Sequence, residues 1–184
     1  MLRKTTALLA LMVASPALAT GIDITVTGEA NGVISVDLFE DVAPGHVERI
    51  TTLAESGKYD GVVFHRVIDG FMAQTGDVKF GQIDGYDARQ AGRGGSDMGN
   101  LSAEFSEITF DRGVVGMARS SDPNSANSQF FIMFAPGPFL DGQYTVVGQV
   151  TSGLDVLDAI KRGDRQSGAI EGAPDMMTNV SVTD

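Results

Sequence analysis

Apolar and polar positions alternate in short runs along most of this chain. Ile22-Asp23-Ile24-Thr25-Val26 alternates strictly, Glu29-Ala30-Asn31-Gly32 reads as a turn, and Val33 to Phe39 resumes the pattern, which predicts a β-hairpin. Further strand signals fall at 62–68, 71–78, 114–118, 128–134 and 145–150, with Asn179 to Val182 as a closing strand. Only two stretches carry helical spacing. Pro44 opens one in which Val47, Ile50, Leu53 and Ala54 share a face and Gly57 marks the end, and Leu154 to Ile160 before Gly163 is the other. Many short strands with two helices predict a mainly β protein, an antiparallel barrel or sandwich capped by helices. The stretch from Phe80 to Gly99 is rich in Gly and Asp and has no period, so a long surface loop is expected there.

The first 19 residues break the alternation. Met1-Leu2-Arg3-Lys4 is basic, Thr5 to Val13 is apolar, and Ala17-Leu18-Ala19 ends the segment with small residues. These are the parts of a secretory signal peptide, and the apolar stretch is well short of the ~20 residues that a bilayer span needs. Residues 1–19 are therefore expected to be cleaved after Ala19. Residues 20–184 would then form one domain in the periplasm, with no membrane attachment. Cleavage removes Arg3 and Lys4, taking 13 basic residues to 11 against 24 acidic ones, a formal net charge of −13. Such a surface disfavours nucleic acid as a partner. The chain has no cysteine, which excludes disulfides and thiol chemistry.

Candidate chemistry sits in two of the strand-like runs. Phe64-His65-Arg66-Val67-Ile68-Asp69-Gly70-Phe71-Met72-Ala73-Gln74-Thr75-Gly76-Asp77 sets a permanent cation among apolar and aromatic neighbours, and Ser128-Gln129-Phe130-Phe131-Ile132-Met133-Phe134 interrupts large apolar residues with a polar one. Arginine offers a rigid fork of donors and cannot act as a general base, so chemistry there is electrostatic. From the residues alone, Arg66 could instead pair with a carboxylate such as Asp69. Gln129 and Phe131 are two apart and share a strand face, with Phe130 and Ile132 on the other. Gln74 and Gln129 each carry a donor and an acceptor, so either could orient Arg66 or hold a substrate backbone group.

These runs, together with Gly113-Val114-Val115-Gly116-Met117-Ala118-Arg119 and Phe139-Leu140-Asp141-Gly142, resemble the cyclophilin family of peptidyl-prolyl cis-trans isomerases in order and spacing, from about Ile22 to the C-terminus. The resemblance implies a closed eight-stranded antiparallel barrel capped by two α-helices. It implies catalysis of X-Pro bond rotation in proline-containing unfolded or partly folded polypeptides, by a monomer without cofactor or metal. Arg66, Gln74 and Gln129 would be the catalytic residues. Phe71, Met72, Phe131 and Leu140 would form the proline pocket, with Phe139 and Tyr144 beside it and Ala118 and Arg119 contacting substrate through the main chain. Phe71 and Met72 are adjacent and cannot share a face in a regular strand, so a bulge or bend near Asp69-Gly70 is required. Phe139 and Tyr144 stand where many eukaryotic members carry tryptophan and histidine, as in bacterial secreted members, and loss of the indole N–H argues against strong cyclosporin binding.

Other chemistries find little support. The two histidines, His46 and His65, show no HExxH spacing, which makes a zinc site improbable. His46, early in the first helix, is expected on the solvated surface, and His65 should face away from the groove with a structural role. Gly92-Arg93-Gly94-Gly95 lacks the Lys-Ser/Thr of a phosphate loop, and Ser120 to Ser128 reads as turn and loop. The competing function is a non-catalytic proline-peptide-binding module or chaperone using the same groove.

Overall fold

A computed structural model describes residues 20–184 of the chain; the expected signal peptide at 1–19 lies outside the described residues. The hairpin is β1 (Gly21–Thr27) and β2 (Gly32–Leu38). Helix α1 (Pro44–Glu55) follows, then β3 (Val62–Val63), β4 (Arg66–Ile68) and β5 (Met72–Thr75). After a long irregular segment come β6 (Val114–Met117), β7 (Phe130–Met133), β8 (Val146–Ser152), α2 (Leu154–Ala159) and β9 (Met176–Thr183).

All strands join one antiparallel sheet in the order β3-β9-β1-β2-β8-β6-β7-β5-β4. Its two outermost members, β3 and β4, are consecutive pieces of the 62–68 stretch, so chain continuity closes the sheet into a barrel. The count is nine rather than the expected eight because Phe64 and His65 leave the ladder between them. The Phe64 N–H donates to the Asp175 carbonyl (2.9 Å) and the Val67 N–H to the Gly168 carbonyl (2.8 Å).

Alternation decides what fills the barrel. Ile22, Ile24 and Val26 of β1, Ile34, Val36 and Leu38 of β2, Val67, Ala73, Val115, Met117, Phe130 and Ile132 all point inward and are buried in one core. Helix α1 covers one end with Val47, Ile50, Leu53 and Ala54, the predicted apolar face. A second apolar cluster lies on the outside of the sheet, where Met72, Phe110, Val114, Phe131, Met133, Leu140 and Val146 pack together. Strand β7 is thus buried on both faces, which is why Phe130 to Met133 reads as a continuous apolar run. Gly116 makes the outer cluster possible: a Cβ there would stand 2.5 Å from the Phe110 ring and 2.6 Å from the Phe131 ring, which stack at 5.7 Å.

His46 overturns the expectation of a solvated residue: it is fully buried. The cause is Glu104, whose carboxylate folds over the start of α1. Its Oε1 accepts the Gly45 N–H (3.1 Å), and its Oε2 accepts the His46 N–H (3.1 Å) and contacts the His46 ring Nδ1. These amides belong to the first turn of a helix opened by Pro44, where the His46 N–H is shared with the Ala43 carbonyl (3.1 Å), and a carboxylate is favoured at that end of the helix dipole. The 80–99 segment has no helix or strand, as expected, yet it is fastened from within. Asp77 is fully buried and accepts four backbone N–H groups: Lys79 and Phe80 on Oδ1 (3.1 and 2.9 Å), and Gly92 and Gly94 on Oδ2 (2.8 and 2.9 Å).

Candidate functional site

The outer faces of β4, β5 and β7 place the sequence-assigned side chains together. Register pairs Arg66 with Gln74, Gln74 with Phe131, and Ile68 with Met72, so period-two geometry brings Arg66, Met72, Gln74 and Phe131 to one face. Gln129, just before β7, shares the face of Phe131, while Phe130 and Ile132 enter the core. Phe71 and Met72 both reach this surface because the chain reverses between β4 and β5. The bend is a tight turn in which the Phe71 N–H donates to the Ile68 carbonyl (3.1 Å), and Gly70 takes the positive φ of +69° that favours glycine.

A groove of about 450 Å³ runs across this face, lined by Arg66, Phe71, Met72, Gln74, Ala118, Arg119, Phe131, Phe139, Leu140, Gln143 and Tyr144. Every residue assigned from the sequence lies on it except Gln129, which stands behind Gln74 and lines an adjoining pocket. Met72, Phe131 and Leu140 are buried and form the floor; Phe139 is 63% exposed at the rim, its ring 5.4 Å from that of Phe71. The turn Pro138–Leu140 carries both Phe139 and Leu140. Tyr144 meets Phe131 edge-on at 5.9 Å.

Arg66 stands at the lip of this floor, partly buried. Its Nε donates to the Ser167 carbonyl (3.1 Å) and its Nη1 to Gln74 Oε1 (3.3 Å). Gln74 Nε2 donates to Gln129 Oε1 (3.0 Å), and Gln129 Nε2 to the Gly94 carbonyl (2.7 Å). The two glutamines therefore form a directed chain whose acceptor end faces the guanidinium, and the Gly94 carbonyl fixes which way both amides point. Asp77 holds Gly94 by its N–H, so the chain is rooted in a buried carboxylate. Asp69 does not pair with Arg66 but with Arg162 (3.0 Å). Burial holds the Arg66 guanidinium below its ordinary pKa, and it stays protonated.

His65 does not line the groove; its ring is buried beneath Gly92, with no hydrogen-bond partner for either ring nitrogen among the described residues. Burial pushes its pKa down to about 4, against the opposing pull of the Asp77 carboxylate. The Ala118 N–H donates to the Gln129 carbonyl (2.9 Å), so at Ala118 the carbonyl is left for a ligand. Arg119 folds back over the Tyr144 ring at 4.3 Å, donating to the carbonyls of Gln143 and Ser120. Among the described residues, no group of three or more His, Cys, Asp or Glu side chains could hold a metal.

Sequence reasoning missed the adjoining pocket of about 510 Å³. Its walls are the 92–96 glycine-rich stretch, with Asn100, and the Ser120–Gln129 loop, two segments read only as weak motifs. Asn127 clasps them: its Oδ1 accepts the Ser96 N–H (2.7 Å) and hydroxyl (2.8 Å), and its Nδ2 donates to the Met98 carbonyl (2.9 Å). Arg49, buried on α1, reinforces the clasp by donating to the carbonyls of Gly99 (2.9 Å) and Asn127 (3.2 Å). Nothing in the local sequence pattern brings these residues together, because the contacts join segments far apart in the chain.

Comparison with known proteins agrees with this architecture. The family model for cyclophilin type peptidyl-prolyl cis-trans isomerase matches residues 22–182, and the chain belongs to that family. It is an enzyme of the peptidyl-prolyl cis-trans isomerase class. A probable peptidyl-prolyl cis-trans isomerase from Brucella suis is 56% identical over 154 residues, covering 83% of this chain and 78% of the relative. The cyclophilin AquaCyp293 from Hirschia baltica superposes with a TM-score of 0.72 at 27% identity, over 87% of this chain and 72% of that one. A cyclophilin type isomerase from Cryptosporidium parvum, crystallised in the presence of the dipeptide Ala-Pro, gives 0.72 at 26% identity, over 89% and 99%.

Proposed function

We propose that the chain accelerates rotation about X-Pro bonds of unfolded or partly folded polypeptides, by a hydrogen bond from Arg66 to the prolyl nitrogen in the outer groove. The observation that carries this is the state of Arg66. It is a partly buried guanidinium with no carboxylate partner among the described residues, oriented by Gln74 at the edge of an apolar floor. Amide resonance sets a barrier of roughly 18–20 kcal/mol, and the twisted transition state has a pyramidal, basic nitrogen that the planar amide lacks. A fixed donor aimed at that nitrogen stabilises the transition state more than the ground state, which is what lowers a barrier. Met72, Phe131 and Leu140 hold the apolar ring of proline by excluding water from it, with Phe71 and Phe139 closing one side.

The Ala-Pro dipeptide present with the Cryptosporidium parvum cyclophilin supports a proline-containing ligand here. Residues 1–19 direct secretion to the periplasm in this reading, which rests on their basic, apolar and small-residue segments. The test is the cis/trans exchange rate of a prolyl peptide with and without the protein. Acceleration supports an isomerase. Binding without any change in rate identifies a passive proline-peptide-binding module or chaperone instead.

A further inference from the structure

The groove and the adjoining pocket share Gln74, Ala118 and Arg119 and form one continuous trough. Its lining carries three guanidinium groups, Arg66, Arg93 and Arg119, and no carboxylate. That is a local inversion, because the whole chain has 24 acidic residues against 13 basic ones. Elsewhere, apart from Arg49, which is buried against carbonyls, and Arg165, which has no ion pair among the described residues, arginines are neutralised by neighbours: Arg89 by Asp87, Arg112 by Asp158 and Arg162 by Asp69. Those in the trough are not. Arg66 and Arg119 donate only to neutral oxygens or sulfur, and Arg93 is exposed with no side-chain hydrogen bond or ion pair among the described residues.

The carboxylates close by in sequence are committed or turned elsewhere. Asp69 is taken by Arg162, Asp77 is buried under four amides, Asp97 lines a separate groove beside Lys58 and Lys79, and Asp122, which keeps its charge while accepting the Asn124 N–H, is not among the residues lining the trough. The negative charge of the rest of the molecule is screened over about 8 Å at physiological ionic strength, whereas a contact pair with the exposed Arg93 is screened only in part. Of the three guanidiniums, Arg66 serves the prolyl nitrogen and Arg119 is pinned on Tyr144, which leaves Arg93 free to meet a charged side chain.

We infer that the trough favours prolyl segments carrying Asp or Glu within about three residues of the proline, the ~10 Å that an extended segment covers, and that Arg93 is the residue that reads this charge. The inference rests on the isomerase reading of the same site. It is tested with peptides that differ at one position, Glu, Gln or Lys, placed in turn on each side of a common Ala-Pro core, by measuring kcat/KM for each. At the position facing Arg93, Glu exceeds Gln by roughly two- to fivefold, the range that an exposed ion pair spans, and Lys falls below Gln. The Glu-to-Lys ratio shrinks as salt is raised, Arg93→Gln brings it towards one, and Arg93→Glu inverts it. A ratio near one at every position, or a preference unmoved by either Arg93 variant, overturns the inference. If the wild-type chain turns over none of the peptides, the isomerase reading fails instead, and the same Glu-to-Lys ratio read from peptide Kd decides the charge preference.

Discussion

Arg66→Ala separates the chemistry of the site from the stability of the barrel. In the fold, the side chain contributes two hydrogen bonds to oxygen, at the Ser167 carbonyl (3.1 Å) and Gln74 Oε1 (3.3 Å), and a long one to Met72 Sδ (3.9 Å). The first two lie at the partly solvated surface, where a net bond is worth ~1 kcal/mol or less. The inward side of β4 is held by buried Val67, which the change leaves alone. The variant should therefore lose roughly 1–2 kcal/mol, a small part of the 5–15 kcal/mol usual for a domain, and melt only a few degrees lower. Removing a donor aimed at a developing lone pair costs about 2.7–4 kcal/mol of transition-state stabilisation, so kcat/KM should fall roughly 10²- to 10³-fold. Arg66→Lys keeps the charge without the planar fork and should rescue poorly. Turnover of a prolyl peptide, measured beside a thermal melt, reads both quantities. Near wild-type turnover in either variant would sink the assigned mechanism, and a collapsed melt would show that Arg66 is structural.

Four further outcomes follow from the same geometry. Turnover should be nearly flat between about pH 6 and 8, because no side chain lining the groove is of a type that titrates there; a bell-shaped profile would implicate another acid or base. Stability should instead fall as pH drops from about 6.5 towards 4, since His65 is neutral when folded and takes up a proton when unfolded, which makes the unfolded state the greater proton binder in that window. The loss should be ~3 kcal/mol and be largely absent in His65→Gln, as read by urea unfolding across pH. Asp77→Asn turns one acceptor oxygen into a donor against two amides and should cost about 3–5 kcal/mol in the same assay; a cost below 1 kcal/mol would mean that the 92–96 stretch is held by other contacts. Phe139→Trp, at the exposed rim, should tighten cyclosporin binding several-fold to tenfold by calorimetry while altering peptide turnover less, and collapsed turnover would place Phe139 inside the proline pocket.

Period-two alternation made much of this molecule legible. It put Gln129 and Phe131 on one face and Phe130 and Ile132 on the other, and the structure keeps that division because both faces of β7 are buried and a one-residue slip would exchange them. The apolar face of α1 was equally plain from Val47, Ile50, Leu53 and Ala54. His46 and Asp77 were opaque for a common reason. Each is a polar residue whose burial depends on a partner far along the chain, Glu104 for one and the amides of Gly92 and Gly94 for the other, and no local pattern records such a partner. The division of the 62–68 stretch into β3 and β4 was hidden too, because its sequence is strand-like throughout and only the bonds to Asp175 and Gly168 interrupt the ladder.

The placement of β9 governs the order in which this chain can fold. It lies between β1 and β3, with Thr183 opposite Gly21 and Met177 opposite Val62, so partners more than a hundred residues apart must wait for it. A nascent chain lacking residues beyond Met176 can form the β1–β2 hairpin but leaves β1 and β3 with open edges, competent to pair with another molecule and unable to close on themselves. Closure is thus a late, non-local and slow event that comes after synthesis of the final strand. An enzyme proposed to hasten the folding of others is itself built so that its own barrel cannot close strand by strand but only once β9 is in place.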